Sequence, residues 1–178
     1  MAYAVGSWVR TEERENPFDR LFLREYAKVA GIAFRVLGDR DEAEDVAQEV
    51  FSSFYRSHSP DAPYAPAWLY RAAAHTALNM MRGKRRRTQR ETTVEEHRLL
   101  LGSPIDPQQA VMVEEQRHEV RQALGRIPKK SATVLALRYS GLSYAEVAAA
   151  LDVKTGQIGT LLRRAEAALR KEMSDATH

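Results

Sequence analysis

Four side chains late in this chain have the types and spacing to read a base sequence. Gln157, Thr160, Arg163 and Arg164 lie three and four residues apart, so on a helix they share one face. A Gln carboxamide can make a two-point contact with adenine and an Arg guanidinium with guanine, each discriminating by about 1–3 kcal/mol, whereas an Arg on phosphate discriminates nothing. A second equipped segment is the basic run Arg82, Lys84, Arg85, Arg86, Arg87 and Arg90. It closes an apolar helix, and its charge suits phosphate neutralisation. Catalysis has no comparable support. There is no glycine-rich phosphate loop followed by Lys-Ser/Thr and no Gly-x-Ser-x-Gly elbow. His58, His75, His97, His118 and His178 are scattered, so no metal site is expected. The pairs Glu95-Glu96 and Glu114-Glu115 sit on polar stretches where solvation accounts for them. The chain has no cysteine, which removes disulfides, thiolate zinc sites and cysteine nucleophiles together. The expectation is a binding protein with no enzyme activity, no cofactor and no small-molecule substrate.

The elements that must carry these residues are helices. Within residues 143–166, Val147, Ala148 and Leu151 make a short apolar face, Asp152-Val153 interrupts it, and Ile158, Leu161, Leu162 and Ala165 resume it at helical spacing. That pattern fits a helix-turn-helix whose second helix lies across a DNA major groove, and it fits an ordinary helical hairpin equally. Ser143 caps the first of these helices, with Glu146 three residues on completing a capping box. Upstream, Val120, Leu124 and Ile127 mark a helix from about Glu114 to Pro128. Val134, Leu135 and Leu137 mark another that stops at Ser140-Gly141.

In the first half, Phe18, Leu21, Phe22, Tyr26, Val29 and Ala30 trace an amphipathic helix running on to Gly38-Asp39. Asp41 is placed to cap the next, in which Ala43, Val46, Ala47, Val50 and Phe54 face inward and Glu44, Asp45, Gln48 and Glu49 outward. Residues 57–66 contain three prolines and predict a loop. A third helix restarts near Ala67 and runs through Trp68, Leu69, Ala72, Ala73, Thr76, Ala77 and Met80 to the basic run. No segment alternates in the manner of a strand. The fold class is therefore all-α: two small helical domains, 18–90 and 114–173, joined by a linker at 91–113, the C-terminal one a helix-turn-helix domain.

With 178 residues, 44% of them hydrophobic, the chain can bury packed cores. Its net charge of +3 is mild, so the separation of an acidic block from a basic one matters more than the sum. No apolar run is long enough to cross a bilayer, and the first ten residues lack the basic start of a secretion signal, which predicts a cytoplasmic protein without membrane insertion.

Acidic helix, aromatic helix ending in basic residues, linker and helix-turn-helix resemble, in that order, the extracytoplasmic-function sigma factors of bacterial RNA polymerase. The run from Asp41 to Phe51 (DEAEDVAQEVF) is similar to the family's polymerase-clamp helix, Ala67-Trp68-Leu69-Tyr70-Arg71 to the start of its promoter-melting helix, and Ile127-Pro128 with Leu137-Arg138-Tyr139 and Gly141-Leu142-Ser143-Tyr144 to the opening of its −35-binding domain. The resemblance implies core RNA polymerase, promoter DNA and an anti-sigma protein as partners of a monomer. It implies polymerase contacts from Asp41, Glu44, Asp45, Gln48 and Glu49. It implies −10 contacts from the loop residues His58, Ser59 and Tyr64, from Trp68, Tyr70, Arg71, His75 and Asn79, and from Arg82, Lys84, Arg85, Arg86 and Arg87. For the −35 element it implies Arg138, Ser143, Tyr144, Lys154, Thr155, Gln157, Thr160, Arg163 and Arg164. The chain departs from the family in two places. His75 stands where an Asn is common, with Asn79 one turn on, and Ile158-Gly159-Thr160-Leu161 replaces a run that carries a Lys. Either Gly159 lets DNA approach closely, or the contacts shift to Gln157, Thr160, Arg163 and Arg164. A dimeric helix-turn-helix regulator that works without polymerase explains residues 143–166 as well, but gives no reason for the acidic and aromatic-basic helices to occur together.

Overall fold

A computed structural model describes residues 16–90 and 107–176 of the chain. The expected features at residues 1–10, Glu95-Glu96, His97, most of the linker and His178 lie outside them. All regular structure among the described residues is helical: α1 (Pro17–Leu37), α2 (Arg40–Ser57), α3 (Ala65–Arg90), α4 (Pro107–Arg126), α5 (Lys129–Tyr139), α6 (Tyr144–Leu151) and α7 (Ile158–Asp175), with a short 3₁₀ turn, Thr155–Gln157, before α7.

The first block is α1–α3. Asn16 accepts from Phe18 N at the start of α1, and Pro17 occupies the first helical position, where its missing N–H costs nothing. Gly38 closes α1 in the left-handed region (φ 69°). Asp39, not Asp41, caps α2: its carboxylate accepts from Glu42 N at 2.9 Å, leaving Asp41 in the first turn, where a negative charge still favours the helix end. Leu21, Val29, Ile32, Val36, Val46, Val50, Phe54, Leu69 and Leu78 are fully or almost fully buried. Burying side chains of this size stabilises by about 1.5–3 kcal/mol each, which fixes the three helices against one another. The proline loop runs only to Tyr64, and α3 starts at Ala65 with Pro66 in its first turn, where proline is tolerated.

The second block is α4–α7. The C-terminal helix expected from about Glu114 begins seven residues earlier, at Pro107, so part of the expected linker is helix. Val120 is more exposed than a core residue, while Leu124 and Ile127 are buried. The capping box at Ser143 and Glu146 forms in both directions, at 3.2 and 2.8 Å. Asp152 (φ 54°) turns the chain between α6 and the 3₁₀ turn, and Ile158, Leu162 and Ala165 hold α7 against the block. The blocks touch: α3 lies against α5 and α6, and α1 against α5.

Candidate nucleic-acid interface

The acidic strip of α2 stands where the apolar periodicity puts it. Ala43, Val46, Ala47, Val50, Phe51 and Phe54 are buried beneath it, and Asp41, Asp45, Gln48 and Glu49 are exposed. Glu44 is half-buried, its carboxylate 3.5 Å from Arg40 one turn back. Beside Gln48 lies an aromatic groove, in which Phe18, Phe22, Phe51 and Tyr55 meet with ring centroids 4.8 to 6.5 Å apart. The signal was present as Phe18, Phe22 and Tyr26 at helical spacing, but periodicity alone assigned them to the core. They are only half-buried, because α1 turns Leu21, Val29, Ile32 and Val36 inward instead.

The loop and the start of α3 form a second patch. His58 packs between Phe54 and Trp68, at 5.1 and 4.8 Å between centroids, and its Nδ1 lies 3.2 Å from the Tyr64 hydroxyl. Trp68 is half-buried against Phe54, while Ser59, Tyr64, Arg71 and Asn79 are exposed. Tyr70 departs from the expectation. It is 3% exposed, and its hydroxyl donates to the carboxylate of Glu25, itself 5% exposed and paired with Arg24 at 2.8 Å. A ring enclosed in this way cannot stack on a base in this arrangement. Burial and the Glu25 charge push its hydroxyl above the usual tyrosine range. Glu25 itself was missed, although it stands four residues from both Leu21 and Val29 and therefore on the inward face.

His75 is half-buried. Burial first, then the charges of Lys129 and Arg71, hold its pKa below the ordinary histidine value. Of the basic run, Arg86 and Arg87 are exposed and Arg85 half-exposed, Lys84 pairs with Glu42, and Arg82 donates to the Ile127 carbonyl at 2.8 Å.

The helix-turn-helix face is open. Tyr144, Lys154, Thr155, Gln157, Gly159, Thr160, Arg163 and Arg164 are all exposed. A Cβ built at Gly159 meets nothing within 4 Å, so the backbone of α7 is bare at its N-terminal end. Three of the expected readers are otherwise occupied. The Ser143 hydroxyl accepts from Glu146 N, the Gln157 carboxamide oxygen accepts from Lys154 N at 3.0 Å, and Arg138 donates to the Leu142 carbonyl at 3.2 Å with its guanidinium over the Tyr144 ring. The Gln157 oxygen keeps a second lone pair and its amide nitrogen is not used by the turn, so the contact sets the orientation in which the carboxamide can meet adenine. Among the described residues, Thr160, Arg163 and Arg164 make no such contact and are exposed.

Helical throughout its described residues, with an exposed acidic strip, an aromatic and basic helix, and an open helix-turn-helix, the protein has the architecture of a transcription factor. Two family models match it, sigma-70 region 2 over residues 21–87 and sigma-70 region 4 over residues 117–169. The RNA polymerase sigma-H factor of Pseudomonas aeruginosa is 32% identical over 170 residues, covering 89% of this chain and 87% of that one. The extracytoplasmic-function sigma-E factor of Escherichia coli K12 is 30% identical over 165 residues, covering 87% and 85%. The chain belongs to the extracytoplasmic-function sigma factors. In fold it is similar to CnrH, solved in complex with the cytosolic domain of CnrY (TM-score 0.53, 22% identity, 90% and 89% covered), and to the sigma factor RpoE of Bartonella quintana, solved with the anti-sigma factor NepR (TM-score 0.50, 22% identity, 88% and 96% covered).

Proposed function

We infer that this chain is a promoter-specificity subunit that binds core RNA polymerase and directs initiation at promoters with −10 and −35 elements. The observation that carries this reading is the exposed acid-and-amide strip of α2 over a fully apolar underside, on the same chain as an open helix-turn-helix. Residues 18–90 bind the polymerase and open the −10 element, 91–113 connect, and 114–173 grip the −35 element. Neither half needs high affinity when polymerase and linker raise the effective concentration of the other.

Asp41, Asp45, Gln48 and Glu49 pair with a basic surface of the polymerase, Glu44 supporting them. His58, Tyr64 and Trp68 offer rings to unpaired bases, with Ser59, Arg71, His75 and Asn79 beside them, while Lys84, Arg85, Arg86 and Arg87 neutralise phosphates. Thr160, Arg163 and Arg164 read or hold the −35 element, with Tyr144, Lys154 and Thr155 at its edge. The protein acts as a monomer in the cytoplasm, where polymerase and chromosome are, and has no chemistry or cofactor of its own. No helix among the described residues is long and apolar enough to cross a membrane. An anti-sigma protein is its remaining partner, as one is for the RpoE of Bartonella quintana. A dimeric regulator that works alone would leave the α2 strip without a role.

The test is run-off transcription with purified core polymerase. The parent chain directs initiation from a promoter carrying both elements. Asp45→Lys with Glu49→Lys loses core binding while changing thermal stability by less than about 0.5 kcal/mol. A folded double variant that still co-elutes with core removes α2 from the interface.

A further inference from the structure

Among the described residues, nothing closes over the aromatic groove between α1 and α2. Phe51 forms its buried floor, Phe18 and Phe22 are half-buried walls, and Tyr55 at the rim is 63% exposed. The Tyr55 ring meets Phe18 edge-on at 4.8 Å, Phe22 lies 4.9 Å from Phe51, and Tyr26 continues the row 4.8 Å beyond Phe22. Five rings thus form one continuous surface, and a contiguous exposed apolar patch on a folded chain marks a place where something binds.

Size and position decide what fits. The groove encloses about 380 Å³, with Asn16, Gln48 and Ser52 at its edge. A folded partner needs about 800 Å² of its own surface covered, whereas this groove has room for one large side chain and the backbone that carries it. Asn16 is also the residue that caps α1, its side chain accepting from Phe18 N. Residues 1–15 therefore leave the helix at the mouth of the groove.

That segment has the composition of an anchor on a tether. Seven of its first nine residues are hydrophobic, Trp8 the largest of them, while Arg10-Thr11-Glu12-Glu13-Arg14-Glu15 contains none. The seven residues between Trp8 and Asn16 reach about 25 Å when extended. The rings from Phe18 to Tyr26 cover about 12 Å along α1, so every one lies within reach. The three glutamates of the tether are held near the start of α1 by the positive end of the helix dipole.

We propose that residues 1–15 dock on this groove, with the Trp8 indole seated among Phe18, Phe22, Phe51 and Tyr55. Rings spaced in this way give an indole edge-on and offset contacts. Asp41, Asp45 and Glu49 stay open beside the seated segment. The proposal rests on the groove and the segment alone and does not depend on the sigma-factor reading.

The chain has two tryptophans, Trp8 and Trp68, so biosynthetic 5-fluorotryptophan gives two fluorine resonances, assigned with Trp8→Phe. In the full parent chain the Trp8 resonance stands away from its position in urea and does not change with protein concentration. Tyr55→Ala, at the exposed rim, returns it to the unfolded position without loss of helicity. A parent Trp8 resonance already at the unfolded position, or a shifted one that Tyr55→Ala leaves in place, overturns the proposal. A shift that grows with concentration as a dimer appears in sedimentation makes a second copy the occupant, and a free Trp8 with core binding weakened by Tyr55→Ala makes polymerase the occupant. Either result overturns it. A second arm leaves the groove intact. The chain has no native cysteine, so a nitroxide on Arg56→Cys, exposed and one turn past Ser52 on α2, is its sole label. It reduces the Trp8 resonance by at least half until ascorbate quenches the nitroxide, and an unbroadened Trp8 resonance overturns the proposal.

Discussion

The start of α7 and the face of α3 are both expected to meet DNA, and they stand in opposite conditions. Around α7, Thr160, Arg163 and Arg164 are exposed, and at Gly159 the helix backbone itself is bare. Along α3, Tyr70 is enclosed, His75 is half-covered beside Lys129, and Arg82 is tied to the Ile127 carbonyl. A surface defined by one helix and its turn is ready as folded. A surface on a helix packed on two sides depends on what lies on its second side.

The sharpest way to probe this contrast is at the free end of α3. Arg86 and Arg87 are exposed and Arg85 half-exposed, all past the Arg82 contact in sequence. Replacing all three with Ala removes up to three phosphate contacts, which lowers the salt slope of single-strand binding by about 2 and the affinity by roughly 50-fold at about 0.15 M salt. Titration of a melted −10 oligonucleotide at several salt concentrations measures it. An unchanged slope makes this run a solvated face, and with it the contrast between the two surfaces disappears. Core polymerase binding is expected to survive.

Next in size is Tyr70→Phe, which separates a structural tyrosine from a stacking one. The ring stays but the Glu25 carboxylate loses a donor while Arg24 remains, so the first block loses about 1–2 kcal/mol of stability. Thermal or denaturant unfolding reads this. Weakened −10 binding at full stability would mean that α3 turns Tyr70 outward on DNA.

The way each surface was legible follows from the range of the forces that make it. The α6–α7 hairpin announces itself through local rules: the Ser143–Glu146 box, the break at Asp152 and the return of the apolar face at Ile158 all act within a few residues. The α2 strip is equally local, since four outward polar residues follow from where Val46, Val50 and Phe54 point. Tyr70 and Arg82 could not be placed this way. Their partners, Glu25 and Ile127, are each 45 residues away in sequence. Periodicity names a buried face but not what is opposite it, and for that reason the half-buried edge of Phe18, Phe22 and Tyr26 was assigned inward.

A smaller effect tests whether α7 is bare for a reason. Gly159 has no neighbour within reach of a Cβ, so Gly159→Ala is expected to raise stability by about 0.5–1 kcal/mol through the helix preference of alanine. The same methyl group would keep a DNA backbone or base edge from closing on the helix, and −35 affinity is expected to fall. Thermal unfolding and duplex binding on the same preparation decide it. A stabilised variant with unchanged affinity makes Gly159 only a weak point of the helix, and the −35 contacts then lie at Thr160, Arg163 and Arg164.

The smallest expected effect lies at the covered surface, in the titration of His75. Burial, Lys129 of α5 and Arg71 of its own helix all disfavour the imidazolium, and its pKa is lowered in the packed arrangement. The ordinary value near 6.5 returns when the blocks part and the ring is solvated. A group that binds its proton more weakly in the packed state draws the equilibrium toward parted blocks as pH falls below that ordinary value. The Lys28–Glu146 pair adds no slope in this range. The lowered Glu146 value keeps its contribution above the carboxylate range, and the raised Lys28 value keeps it below the lysine range. Between about pH 7.5 and about pH 5.5 the block-to-block distance distribution, read by spin labels at Leu23→Cys on α1 and Lys171→Cys on α7, is therefore expected to widen on the acid side. His75→Gln, which keeps a polar side chain of similar reach and does not titrate, flattens that dependence. A distribution that widens equally in the Gln variant would assign the proton to another group and leave the α3 face covered for reasons of packing alone.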